Sequence, residues 1–231
     1  MPGLPSIRTC RQLTALAAAV VVCGCSKLTE PFSSKVTSVA VVQGDAQLAQ
    51  AGRSLSTPIV LRLVDINGKG VAKQPITLVV ALGGGTVDPA TAVSDSLGEV
   101  KLKWTLGTAT TAQSLSASTA GIGPVLVNAT ALFPTNMVVA QGTAQSAKVA
   151  TALKNDIVVR VLGDNAVPMV NIAVTFRVTS GGGAITPQSA VTNALGEVSA
   201  KWTMGAVAGA NSVVAESGTL PSVAIAATAT P

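Results

Sequence analysis

The sequence predicts an all-β protein: two tandem β-sandwiches of about seven strands each, behind an N-terminal signal segment. Three observations lead to this reading. Trp104 and Trp202, the two tryptophans of the chain, stand 98 positions apart, and the same offset registers most of the sequence without a gap. Within each repeat, apolar residues recur at every second position, which is the period of a strand buried on one side. The first 25 residues carry the charge and hydropathy of an export leader rather than of a folded segment.

In the leader, Arg8 and Arg11 make a positive start, Leu13 to Val22 (LTALAAAVVV) make an apolar run, and small residues follow. A membrane-spanning helix needs about 20 apolar residues, so this run is too short to be one. It ends in Val22-Cys23-Gly24-Cys25, which resembles the bacterial lipobox. The resemblance implies that residues 1–24 are removed, that Cys25 is acylated, and that residues 25–35 tether the folded part to a membrane through the acyl chains. Ser26 beside the cysteine resembles an outer-membrane sorting signal. A Cys23–Cys25 disulfide or cleavage by ordinary signal peptidase are the competing readings. The remaining cysteine, Cys10, lies inside the leader, so no disulfide is expected in the folded part.

The repeat is close throughout. VVQGDAQ (41–47) matches VAQGTAQ (139–145), IVLRLV (59–64) matches IVVRVL (157–162), and the triplet Gly83–Gly85 matches Gly181–Gly183. Solenoid repeats have periods of about 20 to 50 residues; this longer unit is expected to be a complete domain, with boundaries at 36–132 and 133–231. In the first unit, strands are expected at 36–42, 46–50, 58–65, 75–81, 98–106, 112–119 and 124–131, separated by turn residues such as INGKG (66–70) and DSLG (95–98). That density of short strands argues for immunoglobulin-type sandwiches.

The tryptophans fall on one of these strands. Val100, Leu102, Trp104 and Leu106 share a face, with Glu99, Lys101, Lys103 and Thr105 opposite; Val198, Ala200, Trp202 and Met204 repeat the scheme. An indole buries roughly 150–250 Å², so Trp104 and Trp202 are expected to be structural core rather than an exposed sugar-stacking platform.

Composition removes several chemistries. There is no histidine and no tyrosine, aromatics are 2% of residues, and the formal net charge of +5 falls to +3 without the leader. No imidazole base, His-ligated zinc or Ser-His-Asp triad can be built. The lysines are scattered and not interleaved with aromatics, so no nucleic-acid partner is expected. No cofactor and no enzymatic activity are expected either.

The remaining candidate sites are few. Asp65 and Asn67, with Asp164-Asn165 as a partial counterpart, are weak calcium candidates; a calcium site takes six to eight oxygens, and a hairpin turn is the simpler reading. The glycine triplets lack the following Lys-Ser/Thr of a phosphate loop and are expected to be positive-φ turns. Glu99 and Glu197 are expected to be turn carboxylates. Arg62 and Arg160 are expected to point outward into a cross-strand salt bridge or over apolar surface.

One ordered set of motifs runs through both units: a strand, Asp65-Ile66-Asn67-Gly68, ITLVVALGGGTVDP or VTFRVTSGGGAITP, then LGE, a strand ending WTLG or WTMG, and a closing A-x-S-(L/V)-x-A. This set resembles the bacterial immunoglobulin-like domains of the invasin and intimin type (group 1). The resemblance implies tandem sandwiches at the cell envelope, serving as spacers or adhesion modules. With no recognisable outer-membrane barrel segment before the repeats and no receptor-binding tip after them, the adhesins' receptor binding is not expected to carry over. The function expected is a non-enzymatic, lipid-anchored envelope protein, most simply of the outer membrane, facing either the periplasm or the exterior. Its candidate partners are another envelope protein or a surface glycan, bound through edge strands or through the loops 83–97 and 181–194. The short junction ALFPTNM, with Phe133 and Pro134, is expected to limit bending between the units.

Overall fold

The computed structural model describes residues 35–231. The residues expected to form a signal segment, Cys25 and the expected tether up to residue 34 lie outside the described residues. What is described is two β-sandwiches of nine strands each, built on the same plan.

In the first sandwich, β1 (Ser38–Gln43), β3 (Ile59–Val64), β7 (Glu99–Leu106) and β5 (Gly85–Asp88) form one sheet in that order. The facing sheet runs β2 (Gln47–Gln50), β9 (Ile122–Leu132), β8 (Ala112–Thr119), β4 (Pro75–Leu82) and β6 (Thr91–Val93). The second sandwich repeats both sheets. One is β10 (Pro134–Gln141), β12 (Ile157–Gly163), β16 (Glu197–Thr203) and β14 (Ala184–Thr186). The other is β11 (Gln145–Lys148), β18 (Val223–Thr230), β17 (Gly209–Glu216), β13 (Ala173–Ser180) and β15 (Ser189–Val191). All pairings are antiparallel except the edge strands β2 and β11, which run parallel to β9 and β18.

The alternation in the sequence becomes the core. Ile59, Leu61 and Leu63 are fully buried on β3, and Val100, Leu102, Trp104 and Leu106 are buried on β7, whose Lys101 and Lys103 face outward. Trp104 and Trp202 are 1% and 0% exposed and rank among the largest fully buried side chains. The two cores are filled by different residues at matching positions. Leu102, Leu78 and Val71 in the first become Ala200, Phe176 and Met169 in the second, so a smaller residue on β16 is offset by larger ones on the facing elements. Cores tolerate such exchanges when total volume is kept.

Two short strands per unit lie where the sequence suggested only loops. Residues 85–88 pair with β7 and residues 91–93 pair with β4, so the chain changes sheets between Asp88 and Thr91. The second unit does the same between Thr186 and Ser189. The stretches 83–97 and 181–194, read as candidate binding loops, therefore each hold two short edge strands, one on each sheet, with loop residues around them.

Candidate functional site

The turn that carries Asp65 and Asn67 is one of three built alike. The Asp65 Oδ1 accepts from the backbone N–H of Asn67 at 2.9 Å and of Lys69 at 3.0 Å. Asp95 Oδ1 accepts from Leu97 at 2.8 Å and Glu99 at 2.9 Å, and Asn193 Oδ1 from Leu195 at 2.8 Å and Glu197 at 3.1 Å. Each turn closes through a glycine at positive φ, Gly68, Gly98 or Gly196, where a side chain would be strained. Asn193 does the same work with a neutral amide as Asp65 and Asp95 do with a carboxylate, so the turn needs an oxygen acceptor rather than a charge. The position matching Asp65 in the second unit is Gly163, which has no side chain to contribute; Asp164 and Asn165 lie in a short 3-10 turn (Asp164–Ala166) instead. Among the described residues no group of three acidic or sulfur ligands converges, and the Asp65–Asn67 loop is a capped turn.

The paired arginines and glutamates are cross-strand neighbours, Arg62 opposite Glu99 and Arg160 opposite Glu197. Arg160 donates to Glu197 Oε1 through Nε at 3.1 Å and through Nη2 as well. Arg62 instead donates from Nε to the Leu97 carbonyl at 3.3 Å. The turn role expected of Glu99 and Glu197 is filled by Asp95 and Asn193: what the turn holds is the backbone N–H of each glutamate, and the Glu197 carboxylate is free to meet Arg160. Asp95 is held below the usual aspartate range, first by the Glu99 N–H, then by the Leu97 N–H, with a smaller contribution from Lys101.

The glycine triplets have two causes. Gly83, Gly84 and Gly85 all have positive φ, as do Gly181, Gly182 and Gly183. They also lie against the glycine that ends the tryptophan strand: a Cβ on Gly107 would overlap the Gly83 carbonyl oxygen, and one on Gly205 the Gly181 carbonyl oxygen. Gln113, buried beneath this contact, accepts from the Gly107 N–H at 3.0 Å.

The contact that the sequence did not announce lies between the sandwiches. The Gln50 side chain, at the end of β2, donates from Nε2 to the Val170 carbonyl at 2.8 Å and accepts on Oε1 from the Val170 N–H at 2.9 Å. A side-chain amide thus pairs with one residue's backbone as a neighbouring strand would. At the junction, Leu132 belongs to the second core, while Phe133 packs against the first. The signal for Gln50 is a negative one, because its repeat counterpart is Lys148 and the contact exists once. Gln47 and Gln145, by contrast, recur in register. Each donates to two carbonyls and accepts one N–H, tying its own edge strand to the segment before the next strand.

Two clefts lie on the second sandwich. One of about 490 Å³ is lined by Phe133, Ile172, Ala173 and Leu220 among others. The other, about 440 Å³, runs between β13 and β14 beside Phe176, Arg177 and Ile185.

Strand order and core define the class as tandem immunoglobulin-like β-sandwiches. Solved structures similar to this chain are bacterial surface domains of that kind. Invasin, a bacterial integrin-binding protein, is 21% identical over 84% of this chain and 39% of its own, with a TM-score of 0.44. The Yersinia pseudotuberculosis adhesin InvE is 19% identical over 84% of this chain and 59% of its own, with a TM-score of 0.43. Domains 4 and 5 of the S-layer protein SbsC are 12% identical over 85% of this chain and 100% of theirs, with a TM-score of 0.46. Against invasin and InvE the chain spans less than two thirds of the other protein. At these identities the likeness is one of fold. No family model matches the sequence, and no curated protein matches it.

Proposed function

We propose that this is a non-enzymatic cell-envelope lipoprotein that holds two immunoglobulin-like domains, residues 36–132 and 133–231, in fixed succession on an acyl anchor at Cys25, acting as a spacer or adhesion module. The observation that carries the reading is the junction. A tether would leave Leu132 and Phe133 in solvent; here each is anchored in or against a core, and Gln50 bonds both polar groups of Val170. Two such hydrogen bonds contribute about 1–3 kcal/mol together, enough to favour one arrangement over a swinging pair. The invasin-type resemblance supports an envelope location, with another envelope protein as the partner to seek.

A second reading, a specific binding module, is supported by the 440 Å³ cleft at the strand switch of the second sandwich. There an added strand would find the edge of β13 beyond the reach of β15. The stretches 83–97 and 181–194 first considered for this role hold short edge strands as well as loops, so both loops and edges can serve it.

Small-angle scattering on the leader-free chain tests the spacer reading. The expected profile is that of one defined particle, and Gln50→Ala should broaden its distance distribution. A wild-type profile that requires an ensemble of freely rotating domains would overturn it. The anchor is tested separately by palmitate labelling in cells, which Cys25→Ala should abolish.

A further inference from the structure

We propose that Asn67 is a site of spontaneous deamidation, the asparagine of this chain that converts to aspartate and isoaspartate ahead of all others. Asn67 alone among the asparagines is followed by glycine. The reaction begins when the backbone nitrogen of the next residue attacks the side-chain Cγ, and a Cβ on that next residue obstructs the approach. Gly68 has none, and nothing lies within 4 Å of where one would stand.

Residues Ile66 to Lys69 are exposed, and no hydrogen bond to a described residue holds the Asn67 carboxamide. Three of the other asparagines are restrained, and the remaining four, Asn128, Asn155, Asn165 and Asn171, are each followed by a residue that bears a Cβ. Asn193 Oδ1 caps two backbone N–H groups, Asn136 Oδ1 accepts from Met137 N–H at 2.8 Å, and Asn211 is buried with Nδ2 bonded to the Gly209 carbonyl at 3.0 Å. The one restraint on the attacking nitrogen is its bond to the Asp65 carbonyl at 3.0 Å. It lies in an exposed turn, the part of a fold that opens at least cost.

The step balances without a redox partner. The Gly68 N–Cγ bond forms and the Cγ–Nδ2 bond breaks, with Nδ2 leaving as ammonia and taking the proton from Gly68 N. Water then opens the five-membered imide at either carbonyl. Either product puts a second carboxylate beside Asp65. Isoaspartate also adds a methylene to the main chain, inside the ring closed by the Asp65 N–H to the Lys69 carbonyl. The turn adjoins the first described residues, because the Thr37 N–H bonds the Val64 carbonyl at 2.8 Å. The new charge therefore appears at the end of the sandwich where the described residues begin.

The test is to age the leader-free chain in warm, mildly alkaline buffer and map its tryptic peptides by mass spectrometry. The peptide spanning 63–69 should split into aspartate and isoaspartate forms several-fold faster than any peptide carrying another asparagine. Labelling of the intact chain by isoaspartyl methyltransferase should fall sharply in Asn67→Gln. Persistence of the Asn67 amide, or an equal rate at a second asparagine, would overturn the proposal.

Discussion

Trp104 and Trp202 fill the centres of their cores with the indole Nε1 buried and unpartnered among the described residues. A buried donor without a partner costs about 1–3 kcal/mol, against about 4–6 kcal/mol from burying the indole's area. The ring is retained for its bulk, at the expense of its polar edge. Trp202→Ala should therefore lose about 3–5 kcal/mol, whereas Trp202→Phe should lose only about 1 kcal/mol, its smaller cavity being offset by removal of the stranded N–H. Urea unfolding measures both; a Trp202→Phe loss well above about 1 kcal/mol would mean that the N–H is satisfied. Asp95 gives a second prediction. Its folded-state pKa is depressed, so the stability it contributes is present above its unfolded pKa and is lost as pH falls through the folded value. Asp95→Asn, which copies Asn193, should flatten the acid limb of the stability profile below about pH 4 and leave neutral stability nearly unchanged. At this scale the tryptophans were legible because they are rare and in register. The turn acceptors were not, because Asp95 and Asn193 are different residue types with the same geometry.

The elements divide by how strongly their pattern is written. Strands such as β7 were visible because eight residues alternate apolar with polar, and its burial follows the same alternation; β3 was visible as an apolar run broken by Arg62, and there Val60 is buried together with Ile59 and Leu61. The switching strands GTVD and TAV were not, because they are three or four residues long and bury little, one residue of each being half-buried. Their place is set by partners far along the chain and by the glycines that let β5 and β7 begin and end against each other. Gly205 isolates that second requirement, since its φ is ordinary while a Cβ there would meet the Gly181 carbonyl. Gly121 is the converse, with φ of 74° and open space around it. Gly121→Ala should cost about 1–2 kcal/mol, the penalty of the left-handed conformation alone. Gly205→Ala should cost more, about 3 kcal/mol or above, because the backbone itself must move. Denaturation of both variants gives the order, and the reverse order would assign the triplet to conformation rather than to close approach.

The molecule as a whole is a repeat with one feature that does not repeat. Gln50 reaches a backbone 120 residues away, and no periodicity encodes such a contact; the sequence carries it only as a break in register, Gln50 against Lys148. Its consequence is energetic coupling. The sandwich that unfolds first breaks the Gln50–Val170 pair and forfeits about 1–3 kcal/mol; the second then unfolds with that pair already gone. Because each sandwich holds one tryptophan and the chain has no tyrosine, the two events can be watched separately. In Trp104→Phe the emission reports the second sandwich, and in Trp202→Phe the first. Adding Gln50→Ala to each should lower the earlier of the two transitions by about 1–3 kcal/mol and leave the later one in place. If the later transition moved instead, Gln50 would be acting within its own sandwich. If neither moved, the two domains would be mechanically adjacent but thermodynamically independent, and Leu132 and Phe133 alone would have to hold the junction.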